Sequence, residues 1–123
     1  MSTILIVEDN EKNMKLVRDV LQVKGYRTLE AGSAEDGIRL AIEHKPDLVL
    51  MDIQLPGMNG IDALGVLRKD ATTAGIPVIA VTASVMQQDR KLITEAGFDG
   101  YIGKPINLKE FLATVQQMLQ GQQ

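Results

Sequence analysis

The apolar run at 48–51 (Leu-Val-Leu-Met) most strongly limits what this chain can fold into, because it leads directly into an acid, Asp52. Pro56, Gly57 and Gly60 then mark a loop. A strand that is apolar on both faces is buried between two layers, which is typical of a parallel sheet. Its carboxyl end lies at the rim of that sheet, where a carboxylate is costly without a partner, a metal ion or a reaction to perform. The run therefore predicts an α/β fold with a functional acid at this rim.

Similar apolar runs occur at 4–7 and 78–81, and weaker strands are predicted at 27–30 and 101–102. Apolar residues between the strands recur at helical spacing, which predicts helices at 12–24, 33–44, after Asn59, at 85–96 and at 107–119. In the first helix, the predicted apolar arc comprises Met14, Leu16, Val17, Val20, Leu21 and Val23. The predicted helix caps are Ser33, Asn59, Ser84 (matched by Gln87) and Asn107 (matched by Glu110).

Five strand–helix pairs with short spacings predict one doubly wound, five-stranded parallel sheet with five helices, a flavodoxin-like architecture. The second strand ends near residues 31–32 without a chemically active side chain. Such a strand suits the edge of the sheet, which favours the strand order 2-1-3-4-5.

Length and composition narrow the class of protein. At 123 residues the chain is long enough for one domain and too short for two, so we predict a single domain, 1–123. The 16 acids and 13 Lys and Arg give a net charge of −3, which does not favour nucleic acid or an anionic membrane surface. The sequence has no Cys, which excludes disulfides and zinc–thiolate sites. The apolar runs are strand-sized and residues 1–3 form no leader, so we expect a cytoplasmic domain without membrane insertion.

The carboxyl ends of the predicted strands meet at one edge of the sheet, where ligands bind in such folds. Three neighbouring carboxylates repel each other unless one is protonated or a hard cation joins them, and oxygen ligands without His or Cys select Mg²⁺ or Mn²⁺. A carboxylate that attacks a phosphorus centre forms an acyl phosphate and needs no general base, while a hydroxyl and an ammonium stabilise the charge on oxygen. The side chains expected at this edge are Glu8, Asp9, Asp52, Thr82 and Lys104.

These residues occur in short motifs that resemble those of the response-regulator receiver domain over essentially the whole chain. Each motif is weak alone, but their order at the ends of the right strands is highly specific. The motifs are Val7-Glu8-Asp9-Asn10, the stretch 50–56 with Gly60, Val81-Thr82-Ala83, and Tyr101-Ile102-Gly103-Lys104-Pro105.

The resemblance implies that Asp52 is the phosphoacceptor. It also implies a Mg²⁺ site formed by Asp9, Asp52 and the backbone carbonyl of Gln54, with Glu8 acting through a metal-bound water. Mn²⁺ is a possible substitute. No organic cofactor is predicted.

The resemblance further implies a conformational switch. Thr82 and Lys104 contact the phosphoryl group, and Tyr101 turns inward on activation. The bond that precedes Pro105 is expected to be cis. These movements would change the surface formed by residues 85–119, and this surface would carry the signal to a downstream protein.

The phosphodonor implied by the resemblance is a histidine kinase or a histidine phosphotransfer protein. Met14, Pro105 and Ile106 are predicted to contact it, because they flank the acidic site. The sequences at 8–11, 13–16 and 53–56 are most similar to those of DivK-type single-domain regulators of bacterial cell division. Receivers attached to hybrid histidine kinases have similar sequences, so a receiver domain from such a kinase stays open as an alternative. We expect a monomer that catalyses only its own phosphorylation and slow dephosphorylation, and is not otherwise an enzyme.

Three alternative functions come from other classes of protein. A flavodoxin-like FMN carrier shares the topology, but the acidic loop at 8–12 would repel phosphate in the absence of a metal ion. A Mg²⁺-dependent phosphohydrolase needs a second acid two residues after its nucleophile, where this chain has Gln54. A phosphorylation-independent interaction module on the same fold is disfavoured by the complete set of acids, hydroxyl and lysine.

Overall fold

Strands and helices alternate along the whole chain, as the sequence predicts. The structure is a computed structural model and describes residues 2–83 and 87–120. The elements are β1 (Thr3–Val7), α1 (Glu11–Val23), β2 (Arg27–Ala31), α2 (Ala34–His44), β3 (Leu48–Asp52), α3 (Gly60–Lys69), β4 (Val78–Thr82), α4 (Gln87–Ala96), β5 (Gly100–Gly103) and α5 (Leu108–Gln120).

The five strands form one parallel sheet in the order β2-β1-β3-β4-β5, which confirms the predicted topology. Val7 pairs with Met51 at the carboxyl ends of β1 and β3. Asp52 pairs with Val81, next to the end of β4. The register therefore brings the residues that follow β1, β3, β4 and β5 to a single edge of the sheet.

Two apolar layers cover the sheet, one on each face. Alternate residues of a strand point to opposite faces, so Leu5 and Val7 of β1 pack with α2 and α3, while Ile4 and Ile6 pack with α1 and α5. All residues of β3 and β4 are buried. This double burial explains why both strands are apolar until their last residue.

The three predicted helix N-caps that the structure describes are confirmed. The side chain of Ser33 accepts a hydrogen bond from the backbone of Asp36, and Asn59 accepts one from Asp62. The side chain of Asn107 accepts a hydrogen bond at the start of α5 in the same way. The predicted cap at Ser84 and the first two residues of the predicted helix 85–96 lie outside the described residues.

The predicted apolar arc of α1 is wrong at two positions. Leu16 is 39% exposed and Val23 is 83% exposed. The buried face of this helix is narrower and centres on Val17 and Leu21. The reason is that α1 covers the sheet beside α5, so only a narrow stripe of its surface is enclosed.

Among the described residues, no helix combines the length and the apolar character needed to cross a membrane.

Candidate functional site

The structure brings the five predicted side chains together at the carboxyl edge of the sheet. Glu8 and Asp9 follow β1, Asp52 ends β3, Thr82 ends β4 and Lys104 follows β5. Glu8, Asp52 and Thr82 are buried, with exposed fractions of 6%, 3% and 1%. Asp9 is exposed. The site is therefore a shallow recess whose floor is polar and whose acidic rim is open to solvent.

The three acids form one cluster. Glu8, Asp9 and Asp52 each offer a carboxylate oxygen, and these oxygens lie within 4.8 Å of one another. A set of oxygen ligands of this size, two buried and one exposed, fits a hard divalent cation that keeps part of its water shell. The cluster contains the three acids from which the sequence predicts a Mg²⁺ site.

Lys104 links two of the acids directly. Its Nζ donates to Asp52 Oδ2 at 2.8 Å and lies 3.0 Å from Glu8 Oε1. Its backbone N–H donates to the carbonyl of Thr82 at 2.8 Å, which fixes the start of this loop against β4. The sequence predicts Lys104 at the site but not its ion pair with Glu8, which was expected to act through a metal-bound water.

The local environment shifts the pKa values of the two buried carboxylates in opposite directions. Burial, followed by the hydrogen bond with Asp52, raises the pKa of Glu8 from 4.5 to about 7. Burial also acts to raise the pKa of Asp52, but hydrogen bonds with Glu8, Lys104 and the Gln54 N–H outweigh it and hold that pKa below its usual 3.8. Although burial alone acts to lower it, the pKa of the Lys104 ammonium is raised by the same two carboxylates. Asp52 is therefore the carboxylate of the pair that is ionised near neutral pH.

The backbone after β3 orients the Asp52 carboxylate. The N–H of Gln54 donates to Asp52 Oδ1 at 2.8 Å, and the N–H of Ile53 donates to the carbonyl of Val81 at 3.2 Å. Asp52 therefore has one oxygen fixed by the backbone and the other fixed by Lys104. The role of the Gln54 carbonyl as a metal ligand stays a prediction.

Thr82 and Tyr101 occupy different environments. Thr82 is buried at the end of β4, whereas Tyr101 on β5 is 38% exposed. Tyr101 lines an open cavity of about 410 Å³ with Lys104, Pro105 and Phe111. The inward movement of Tyr101 that the sequence analysis expects is not tested by this conformation.

The predicted partner residues surround the site. Met14 lines a cavity of about 470 Å³ together with Glu8 and Asp9. Pro105 is exposed and Ile106 is half-buried directly after Lys104. The peptide bond between Lys104 and Pro105 is cis, which confirms that expectation.

The sequence analysis did not predict two hydrogen bonds of Asn10. Its side chain caps α1 by accepting from Asn13 N–H at 3.0 Å, and its own N–H donates to Glu8 Oε2 at 3.4 Å. Asn10 thus joins the start of α1 to the acidic cluster. An Asn directly before an acidic first helical turn is a recognised capping signal and could have identified it.

A parallel sheet in this order, with three carboxylates, a buried hydroxyl and a lysine at its carboxyl edge, defines the class of receiver domains. The sequence profile of the response regulator receiver domain matches residues 4–116. The chain belongs to this family.

Curated relatives include the polar-differentiation response regulator DivK of Brucella ovis. It is 45% identical over 117 residues, which are 95% of this chain and 95% of that protein. The protein of the same name from Brucella anthropi is 44% identical over the same share of each chain. The chain is therefore a DivK-like receiver.

Solved structures of receiver domains are also similar to this chain. The receiver domain of a sensor histidine kinase from Pseudomonas aeruginosa, which has a magnesium ion coordinated in its active-site cleft, is 31% identical with a TM-score of 0.89. The match covers 96% of this chain and 97% of that one. A CheY-like receiver from Methanospirillum hungatei is 30% identical with a TM-score of 0.90, over 99% of this chain and 96% of that one.

Proposed function

We propose that the chain is a phosphorylation switch whose phosphoacceptor is Asp52. The observation that carries this proposal is the state of the Asp52 carboxylate, which is buried, held ionised and oriented by Lys104 and by the Gln54 N–H. A carboxylate in this position has an attacking oxygen and needs no base to activate it.

The reaction is an in-line transfer from a phosphohistidine of a kinase or phosphotransfer protein. An oxygen of Asp52 forms a bond to phosphorus as the phosphorus–nitrogen bond breaks. The ring nitrogen keeps the bonding electron pair and takes one proton from solvent, so that neutral imidazole leaves. Lys104 keeps its charge throughout and neutralises charge on a phosphoryl oxygen, and the Thr82 hydroxyl donates to another. The chain's own residues thus supply positioning and electrostatic stabilisation.

Asp9, Asp52 and the backbone carbonyl of Gln54 would hold Mg²⁺, with Glu8 acting through a metal-bound water; Mn²⁺ could substitute. The geometry of the acidic cluster and the magnesium ion in the Pseudomonas aeruginosa relative support this assignment. When bound, such a cation offsets the repulsion between the carboxylates and the incoming phosphoryl group.

Phosphorylation changes the partners of Lys104. In the present structure the ammonium of this lysine contacts carboxylate oxygens of both Glu8 and Asp52. A phosphoryl group on Asp52 would compete for the same ammonium and draw Thr82 towards it. Tyr101 then moves inward, so that α4, β5 and α5 present a different surface to a downstream protein. This is a population shift driven by local electrostatics.

The biological assignment follows the DivK relatives. We propose a monomeric, cytoplasmic, single-domain regulator of bacterial cell division that signals by protein contact, binds no nucleic acid and turns over no other substrate. Met14, Pro105 and Ile106 contact the phosphodonor. A receiver from a hybrid histidine kinase is the second candidate, favoured by the likeness to the Pseudomonas aeruginosa domain.

The test is the intact mass after incubation with acetyl phosphate and Mg²⁺. The proposal expects one phosphoryl adduct that disappears with EDTA and in Asp52→Asn. The matched control is Asp36→Asn, which alters an exposed acid at the start of α2 and should be phosphorylated normally. An adduct that persists in Asp52→Asn, or no adduct in the presence of bound Mg²⁺, would contradict the proposal.

A further inference from the structure

Gly60 lies directly against the backbone of the phosphoacceptor. It is the first residue of α3, and a Cβ atom placed on it would lie 2.6 Å from the carbonyl oxygen of Asp52 and 2.7 Å from the Cα of Ile53. Both neighbours are main-chain atoms, so they cannot rotate away as a side chain would. Its φ angle is not positive, so this position requires glycine for space and not for backbone conformation.

The turn at residues 52–54 is held from two sides. On one side, the N–H of Ile53 donates to Val81 of β4 at 3.2 Å. On the other side, the N–H of Gly60 donates to the carbonyl of Ile53 at 3.3 Å. The first turn of α3 is therefore one of the two supports of the segment that carries Asp52 and donates the Gln54 N–H to its carboxylate.

We infer that Gly60 is a positioning residue for phosphoryl transfer, an inference that rests on the function proposed above. The close approach that it permits sets the angle of the Asp52 carboxylate between Lys104 and Gln54. A side chain at position 60 would have to displace either α3 or the 52–54 turn. Either movement would turn the attacking oxygen away from the in-line direction, and a displacement of about 1 Å can slow a reaction about a hundredfold.

The same helix contains a matched control. Gly65 is exposed in the middle of α3, and a Cβ atom placed on it would have no neighbour within 4 Å. Gly60→Ala and Gly65→Ala are therefore identical chemical changes in one helix, and only the first meets the phosphoacceptor segment. Leu67→Ala, in the buried face of α3, controls for loss of stability alone.

The experiment measures the rate of phosphorylation by acetyl phosphate at saturating Mg²⁺, after each variant is shown to be folded by circular dichroism. We expect Gly60→Ala to lower the maximal rate roughly ten- to a hundredfold, with a smaller change in the half-saturating concentration of acetyl phosphate. Gly65→Ala and folded Leu67→Ala should react at the wild-type rate. A folded Gly60→Ala with the wild-type rate, or an equal loss in Leu67→Ala, would overturn the inference.

A second pair of variants applies if Gly60→Ala does not fold. Asn59→Ala removes the cap from the same turn of α3 without adding an atom, and Ser33→Ala removes the equivalent cap from α2. We expect only Asn59→Ala to slow phosphorylation, by several-fold, and equal rates in the two variants would contradict the inference. Failure of the wild-type chain to accept a phosphoryl group would instead contradict the proposed function, so the two failures are distinguishable.

Discussion

At the scale of single residues, the site works by giving two neighbouring carboxylates different pKa values. Glu8 is protonated more readily because it is buried beside Asp52, and Asp52 stays ionised because Lys104 and the Gln54 N–H bind its two oxygens. Sequence motifs predict which residues meet here. They do not predict which acid holds the proton, because that depends on burial and on distances of about 3 Å.

The proton on Glu8 predicts a pH-dependent affinity for Mg²⁺. Below the raised pKa of about 7, Glu8 carries a proton and no negative charge, so binding of the cation to this acidic cluster is coupled to release of that proton. The Mg²⁺ affinity should therefore fall as the pH falls, by up to about tenfold per pH unit below 7. Calorimetric titration at pH 6 and pH 8 measures this change.

Glu8→Gln is the control for that titration. This variant should bind Mg²⁺ more weakly at pH 8, but its affinity should hardly change between pH 6 and pH 8. If it keeps the wild-type pH dependence, the titrating group is not Glu8.

The same raised pKa affects the stability of the metal-free protein. The folded state binds the Glu8 proton more tightly than the unfolded state, whose pKa is near 4.5. This contribution is fully present below pH 4.5, so the free energy of unfolding should decrease as the pH rises from about 4.5 through 7. Urea unfolding in EDTA at pH 5, 6 and 8 measures it, and a smaller decrease in Glu8→Gln is expected. An increase specific to the wild type over this range would be incompatible with the assigned shift.

At the scale of elements, Arg68 of α3 connects two loops at the amino ends of β4 and β5. Its guanidinium donates to the carbonyl of Ile76 at 2.6 Å, to the carbonyl of Ala74 at 3.1 Å and to Asp99 Oδ2 at 2.8 Å. The Asp99 carboxylate also accepts from Val78 N–H at 2.8 Å. One charged group thus satisfies several backbone carbonyls at the edge of the sheet opposite the acidic cluster.

Arg68→Met should lower the free energy of unfolding by about 2 kcal/mol, because the backbone carbonyls lose their side-chain donor and Asp99 loses its charged partner. The phosphorylation rate of the folded protein should stay unchanged. Arg39→Met is the matched control, since both ion pairs of Arg39 on α2 are more than half exposed and should contribute less than about 0.5 kcal/mol. Urea unfolding of both variants tests the difference, and equal losses would refute the role assigned to Arg68.

The elements themselves were largely predictable, since the apolar runs mark the strands and Ser33, Asn59 and Asn107 mark helix starts. The Arg68 network was not, because its partners at 74, 76, 97 and 99 share no local pattern with it. The apolar arc of α1 was overestimated at Val23 for a related reason. Periodicity gives the direction of the buried face, whereas its width depends on how closely α5 approaches.

At the scale of the whole molecule, a phosphorylation switch requires a change at one edge of the sheet to reach the surface of β5 and α5. Lys104 is the residue that would make that connection, because its side chain contacts Asp52 while its backbone belongs to the loop between β5 and α5. The strand order and the composition of the site follow from the sequence. The second conformation that we propose for the phosphorylated protein does not follow from the sequence, since it would depend on a small free-energy difference between two packings.

Tyr101 offers an intrinsic probe of that second conformation. The chain has two Tyr and no Trp, so Tyr26→Phe leaves Tyr101 as the only strong fluorophore. Tyr101 is 38% exposed in the present structure. Because the proposed inward movement would bury it, phosphorylation should reduce the quenching of its fluorescence by acrylamide. Tyr101→Phe, which leaves only Tyr26, should show no such change. Unaltered quenching of Tyr101 in the fully phosphorylated protein would rule out its inward movement.

The most direct test of the central claim is to identify the residue that carries the phosphoryl group. Borohydride reduces an acyl phosphate on aspartate to homoserine, so treatment after incubation with acetyl phosphate and Mg²⁺ marks the phosphorylated position for peptide sequencing by mass spectrometry. The account predicts homoserine at position 52 alone, and none when EDTA is present. Homoserine at Asp9 or another aspartate, with position 52 unchanged, would contradict it.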